Sequence, residues 1–222
     1  LGNGLLDSRA RGIAPEAEIW TWNFNQQSNG LLVQQEMLRT YMEHHISLTS
    51  NSYGYSMEAF CGQERYLNYT ILGNILTDYI AYLFPEMTHV YAAGNDQGAC
   101  NQEWGHSTQY AKNIISVAAL NADASMSDYS SFGPLTDGRI FPIISARGTA
   151  VYSTIAEHIY NEMDGTSMAT PMVTGHLALL SQRWMQLHGG ARPYNYFLKA
   201  LIANTADDAG NPGPDYKFGF GM

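Results

Sequence analysis

Short apolar runs alternate along this chain with longer stretches in which apolar residues recur at helical spacing. Glu18-Ile19-Trp20-Thr21-Trp22, His45 to Thr49, Thr88 to Ala93, Asn113 to Leu120 and Ile140 to Ser145 read as strands. The runs from Thr88 and Asn113 are apolar enough to be buried on both faces. Leu31 to Glu43 reads as a helix, with Leu31, Leu32, Gln35, Leu38 and Met42 on one repeat. Further helices are expected over Asn68 to Leu83, which Pro85 ends, over Gly165 to Trp184, and over Tyr194 to Asn204. Val151 to Tyr160 reads as a surface hairpin. No internal repeat or low-complexity linker interrupts the alternation. It therefore predicts an α/β domain whose parallel sheet is covered by helices on both faces. Ligands of such sheets bind beyond the carboxyl ends of the strands.

Length and composition refine this picture only a little. The 222 residues suffice for one domain with a real core, and 45% hydrophobic residues with 21 glycines is ordinary for an α/β enzyme. The formal charge of −9 argues against a nucleic-acid backbone or an anionic membrane surface as partner. No apolar run approaches the roughly 18 residues of a membrane span. The first residues, Leu-Gly-Asn-Gly, read as internal to a longer precursor, so a missing signal peptide says nothing about compartment. The two cysteines, Cys61 and Cys100, lie in loop-like surroundings. That favours a disulfide joining two loops over two buried thiols, and two cysteines alone do not make a zinc site.

The candidate chemistry centres on Ser167, in Gly165-Thr166-Ser167-Met168-Ala169-Thr170-Pro171. A serine in the first turn of an apolar helix has a backbone N–H that the helix leaves unpaired, and the helix dipole favours negative charge there. Both suit a hydroxyl whose attack on a carbonyl creates an oxyanion. An ordinary helix cap is the plainer alternative for an isolated Gly-Thr-Ser. The longer segment, through Met172-Val173-Thr174-Gly175, resembles the nucleophile segment G-T-S-M-A-[ST]-P-H-V-A-G of the subtilisin-like serine proteases, or subtilases. Met172, Thr174 and His176 depart from that pattern on the helix beyond the serine, where they bear on packing more than on chemistry.

Other segments resemble the same family, in family order. Ala92-Ala93-Gly94-Asn95-Asp96 resembles A-A-G-N, which implies that the Asn95 side chain donates to the oxyanion and that Ser167 and Asn95 are the catalytic residues. Ser50-Asn51-Ser52-Tyr53-Gly54 resembles the segment that captures extended peptide by adding a strand. Ser52, Tyr53 and Gly54 would then form one wall of the pocket for the residue before the scissile bond, and Ala92, Ala93 and Gly94 the other. The floor would come from Gln102 to Gln109, with Glu103 and His106 as residues of interest. Gly12-Ile13-Ala14-Pro15, Ser130-Ser131-Phe132-Gly133-Pro134 and Tyr216-Lys217-Phe218-Gly219-Phe220-Gly221 extend the likeness, and Arg147-Gly148 replaces the usual Pro-Gly. The resemblance implies a three-layer subtilisin-like fold with a mostly parallel central sheet.

A serine needs a base. The family supplies Asp in D-[ST]-G and His in H-G-T-H-V-A-G, and neither motif occurs here. Of the seven histidines, His176 lies nine residues beyond Ser167, about two and a half turns along the same helix and too far to reach it. His44, His45 and His89 flank strand starts, and His106 and His158 fall in loops. The whole chain, 1–222, is thus expected to be one incomplete catalytic domain, lacking at its amino-terminal side the segments with Asp, His and a central strand. The expected activity is serine endopeptidase cleavage through an acyl-enzyme at Ser167. The alternatives are a silent peptide-binding module and an inert fragment. Implied partners are an extended polypeptide substrate, the upstream segment of the same precursor and a propeptide; nucleic acid is not among them. The resemblance places the parent protein outside the cell or on its envelope. The chemistry requires no cofactor. Structural calcium is common in the family, and Asp207-Asp208 and Asp123 to Asp128 are acidic, but no EF-hand spacing appears, so solvated loop carboxylates are the favoured reading. Asn68-Tyr69-Thr70 fits a glycosylation acceptor.

Overall fold

Two apolar runs pair at the centre of a sheet, because each can bury both faces only inside a layered structure, and two shorter, less buried strands flank them. The structure, a computed structural model, describes residues 2–21, 30–57, 61, 72–101, 109–155 and 159–222. Strands β1 (Leu48–Asn51), β2 (Thr88–Ala92), β3 (Ile114–Leu120) and β4 (Ile144–Arg147) form a parallel sheet in the order β1-β2-β3-β4. Every residue of β2 and β3 is buried, as expected for strands at the centre of a covered parallel sheet. Alternate side chains point to opposite faces. Val90, Ile115, Val117, Ala119 and Ile144 meet Ala169, Val173 and Leu177 of helix α3 (Thr166–Leu187) and Leu198 of α4 (Asn195–Thr205). On the other face Tyr91 and Ile114 meet Met37 of α1 (Gly30–His44) and Ile80 of α2 (Leu72–Leu83). The result is the three-layer, mostly parallel α/β architecture expected of the chain.

The hairpin forms as β5 (Val151–Thr154) antiparallel to β6 (Tyr160–Met163), slightly beyond its expected end. Besides β1, which starts at Leu48 rather than His45 because α1 runs to His44 and His45 turns the chain with φ 56, two strand expectations need correction. Residues 18–21 form no strand, and Trp22 lies outside the described residues. Ile19 and Trp20 stay 49% and 40% exposed; the Trp20 ring stacks on His44 and its Nε1–H donates to Glu18. An extended segment becomes a strand only beside a partner that takes its backbone hydrogen bonds, and no described strand lies next to it. The second correction is β4, which starts at Ile144 rather than Ile140. Pro142 has no N–H for a ladder, and regular pairing begins only after Ile143 donates to the Ser116 carbonyl.

His89 is fully buried in β2. Its Nδ1 lies 2.9 Å from Thr49 Oγ1, and its Nε2 has no hydrogen-bond partner among the described residues. Desolvation pushes its pKa down from 6.5 to about 4. The folded state therefore refuses a proton that the unfolded chain accepts. This contribution to stability is intact above pH 6.5, falls as pH drops through the interval to about 4, and is flat below. The loss over that interval is about 3 kcal/mol. Melting temperatures measured across it should fall more steeply for the native chain than for His89→Gln; parallel curves would show that His89 does not titrate in this way.

Candidate active site

The register places the candidate residues before any side chain is considered. Asn51 at the end of β1 is level with Tyr91 near the end of β2. The chain segments leaving these neighbouring strands, 52–56 and 93–96, therefore diverge from one point and leave a cleft between them. Helix α3 starts at the same edge. The cleft has a volume of about 210 Å3, and Ser52, Tyr53, Gly54, Ala92, Ala93, Gly94, Asn95 and Ser167 all line it. The structure thus brings these eight sequence-predicted residues to one place. Ala93 is 1% exposed and belongs to a core cluster with Met57 and Tyr110, so its side chain supports the wall from behind. Tyr53 turns its hydroxyl inward, where it donates to Asn51 Oδ1 at 2.8 Å and the ring meets Tyr91 edge-on. Burial pushes its phenol far up from the ordinary tyrosine range.

Ser167 is the second residue of α3. Gly165, before the helix, has φ 149, a conformation side chains resist, and a Cβ there would stand 3.5 Å from Asn95 Nδ2. The Ser167 N–H has no acceptor within the helix. Asn95 lies alongside. Its Oδ1 accepts from the Thr166 N–H and from the Thr166 hydroxyl, both at 2.8 Å. A backbone N–H can only donate, so Oδ1 faces Thr166 and the amide NH2 is turned the other way. No described residue accepts from that NH2. Thr166 Oγ1 also accepts from the Gly94 N–H at 3.3 Å, which ties the loop after β2 to the first turn of α3. Gly94 has φ 115, and a Cβ there would meet Ser131 Oγ at 2.9 Å. Ser131 in turn holds the loop: its N–H donates to the Gly94 carbonyl and its hydroxyl accepts from the Asp96 N–H.

Pro171 explains a further link. In an α-helix its N–H would have donated to the Ser167 carbonyl four residues earlier, and proline has none. The Ser52 hydroxyl fills that place, donating to the Ser167 carbonyl at 3.0 Å, while Ser167 Oγ donates to the Ser52 carbonyl at 3.3 Å. A cleft wall and the serine are thereby joined. Ser52→Ala should lower the melting temperature slightly, since an exposed hydrogen bond is worth about 1 kcal/mol or less. The effect should shrink in a Pro171→Ala background, where the helix can satisfy its own carbonyl. Equal effects in both backgrounds, measured by a double-mutant cycle, would break the link.

Sequence reasoning named Thr166 only as a motif letter; its hydroxyl is what orients Asn95. The role of Ser52 was likewise hidden, because it depends on an N–H missing from a residue 119 positions away. Of the three departures after Pro171, Thr174 satisfies its hydroxyl on the Thr170 carbonyl and Ser50 Oγ, and His176 bonds the Met172 carbonyl one turn back. Among the described residues no histidine or carboxylate hydrogen-bonds Ser167. Glu103, His106, His158 and the Asn68-Tyr69-Thr70 segment lie outside the described residues.

A disulfide joins Cys61 to Cys100, with Cα atoms 5.2 Å apart. It ties Cys61 to the turn that follows Asp96. The acidic loops serve as turn staples: Asp123 accepts from the Ser125 N–H and hydroxyl, Asp208 from Gly213 N–H, and Asp215 from the N–H groups of Asn211, Lys217 and Phe218. Among the described residues no three His, Cys, Asp or Glu side chains converge as metal ligands. No described helix is long and apolar enough to cross a membrane.

Comparison with known families decides the affiliation. A family profile described as the subtilase family matches residues 1–221. The chain belongs to the subtilase family. Individual relatives agree. Thermitase of Thermoactinomyces vulgaris is 34% identical over 104 residues, covering 47% of this chain and 32% of thermitase. Subtilisin DY of Bacillus licheniformis is 28% identical over 134 residues, covering 60% of this chain and 43% of the relative. The PII-type proteinase of Lactococcus lactis subsp. cremoris is 38% identical over 92 residues, 36% of this chain but 5% of that proteinase. The matched region of this subtilase thus spans less than half the length of each of these relatives.

Proposed function

We propose that the protein carrying this chain is a serine endopeptidase in which Ser167 attacks the carbonyl of an extended peptide. The observation that carries the reading is the joint position of Ser167 and Asn95. A helix-terminal hydroxyl and an uncommitted amide NH2, its orientation fixed by Thr166, face one cleft. In the proposed reaction Ser167 Oγ bonds to the peptide carbonyl carbon. The oxygen takes up the negative charge, and the Ser167 N–H and Asn95 Nδ2 stabilise it. Collapse expels the amine and leaves an acyl-enzyme, which water then hydrolyses. The chemistry calls for no cofactor.

The base that takes the Ser167 proton, and the carboxylate that orients it, are proposed to come from the upstream segment of the same precursor. Two features support this. One long edge of β1 has no described partner strand. A hollow of about 440 Å3 lies beside the start of α3, between residues 9–13 and the β5–β6 hairpin. An added strand and helix would cover both. Substrate is proposed to lie extended along Ser52–Gly54 and Ala92–Gly94, and a propeptide would use the same groove. A secreted or envelope location fits the Cys61–Cys100 disulfide, which belongs in an oxidising compartment.

A second reading is a groove that binds peptide without cutting it. It is favoured by one observation: in this structure the Ser167 hydroxyl donates to a backbone carbonyl rather than to an imidazole. Incubating the full precursor with a casein digest and following new amino termini separates the two. New termini that vanish with Ser167→Ala support the endopeptidase; none, despite measurable peptide binding, supports the silent groove.

A further inference from the structure

At the amino ends of β3 and β4, the end of the sheet away from Ser167, a separate cavity of about 280 Å3 lies against helix α4. Asn113 and Ile143 line it from the positions just before β3 and β4, and Phe220 from the closing segment of the chain. Tyr196, Lys199, Ala200 and Ala203 line it from one face of α4. Two of these helix residues are alanine, and their short side chains leave room between α4 and the apolar pair Ile143 and Phe220. The volume is close to the lower end of small-molecule sites, about 300–1,000 Å3, so the cavity suits a small guest with apolar surface.

Lys199 brings the one basic group to this lining. Its Nζ donates to the Lys112 carbonyl at 2.8 Å and makes no other hydrogen bond and no ion pair among the described residues. An ammonium has three N–H bonds to satisfy, whereas a neutral amine keeps this one bond and leaves its lone pair open. Asp78 and Arg139 act on Lys199 with opposite signs. Asp78 accepts from the Lys112 and Asn113 N–H groups, and Arg139 pairs with Asp137 and donates to the Tyr110 carbonyl. Burial is the larger influence and brings the Lys199 amine down from 10.5 to about 8. At pH 7.5 roughly a quarter of it is then uncharged, against roughly one part in a thousand for an ordinary lysine. The other two lysines of the chain, Lys112 and Lys217, are exposed and line no part of the cavity.

We propose that this cavity is a binding site for small apolar aldehydes, which Lys199 holds as a reversible imine. The site lies apart from the cleft at Ser167 and does not rest on the peptidase reading. A carbonyl carbon accepts a neutral amine without an activated leaving group. The Nζ lone pair bonds to the aldehyde carbon, and the C=O π pair moves to oxygen, which takes one amine proton. Loss of that oxygen as water, with the second amine proton, leaves the C=N bond; nothing is oxidised or reduced. The apolar tail of the aldehyde fills the space between Ala200, Ala203, Ile143 and Phe220. An anionic tail would find no second cation in this lining.

The full precursor bearing Ser167→Ala is incubated at pH 7.5 with hexanal or with formaldehyde, each with cyanoborohydride to trap the imine, and the modified lysines are mapped by mass spectrometry. Formaldehyde has no tail and gains nothing from the cavity. Ala200→Leu narrows the cavity from an exposed helix position, and a thermal melt establishes that this variant is folded. The expected result is hexanal labelling of Lys199 at least about tenfold faster than of Lys112 or Lys217. Ala200→Leu should slow hexanal at Lys199 several-fold and leave formaldehyde labelling there unchanged. Equal hexanal rates at the three lysines overturn the proposal. So does a Lys199 preference that folded Ala200→Leu leaves intact, since that result describes a reactive amine without a binding site.

Discussion

Replacing Ser167 by alanine in the full precursor is expected to abolish peptide hydrolysis while leaving the fold in place. The hydroxyl is half-buried and donates one bond, at 3.3 Å, to an exposed carbonyl, so its loss should change stability by well under 1 kcal/mol. The catalytic effect is of another order, because no neighbouring side chain can form the acyl intermediate in its place. Thr166 is the nearest alternative in sequence, but its hydroxyl is 1% exposed and committed to Asn95 and Gly94. The checks are kcat against a peptide substrate and a thermal melt on the same preparation. Undiminished turnover with an unchanged melt would remove Ser167 from the mechanism.

The second large effect is expected at Asn95, and two substitutions distinguish its chemistry from its structural part. Asn95→Ala removes both the donor and the acceptor that receives Thr166 N–H and Oγ1. It should lower kcat about 10²–10³-fold, a magnitude taken from the loss of one oxyanion donor in related enzymes, and should also loosen the loop after β2. Asn95→Asp keeps an acceptor for Thr166 but replaces the NH2 by negative charge. It should melt close to the native temperature yet lose at least as much kcat, with KM little changed, because the donor acts on charge that develops only in the transition state. If Asn95→Asp retains activity, Asn95 serves to hold Thr166 and nothing more.

Much of the fold could be read from residue pattern because burial imposes it. The runs Thr88–Ala93 and Asn113–Leu120 are mostly apolar on both alternating sets of residues, a pattern suited to a strand covered on both faces; β2 and β3 are the central strands, fully buried. Helices α1 and α4 fall within one residue of their expected bounds. Failures came where a strand depends on a neighbour rather than on itself. Glu18–Trp22 has strand-like composition, but composition supplies no hydrogen-bonding partner, and Ile19 and Trp20 remain exposed. At the site, Ser167 and the Gly94-Asn95 turn stand out because both carry strong local patterns. Thr166 and the carbonyl-capping part of Ser52 do not, since each acts through a contact with a residue distant in sequence: Thr166 with Asn95, Ser52 with Ser167. A single hydroxyl or carboxylate leaves no periodic trace, so its part is visible only once the strand register has brought the segments together.

The central claim is that Ser167 is an activated nucleophile once the base is in place, and covalent labelling tests it most directly. The full precursor is treated with a fluorophosphonate, digested, and mapped by mass spectrometry. The account predicts one phosphonate adduct on the peptide containing Gly165-Thr166-Ser167, absent after heat denaturation and absent in Ser167→Ala. Folded protein that cuts peptides while its Ser167 stays unlabelled, or takes its adduct at another residue, would contradict it.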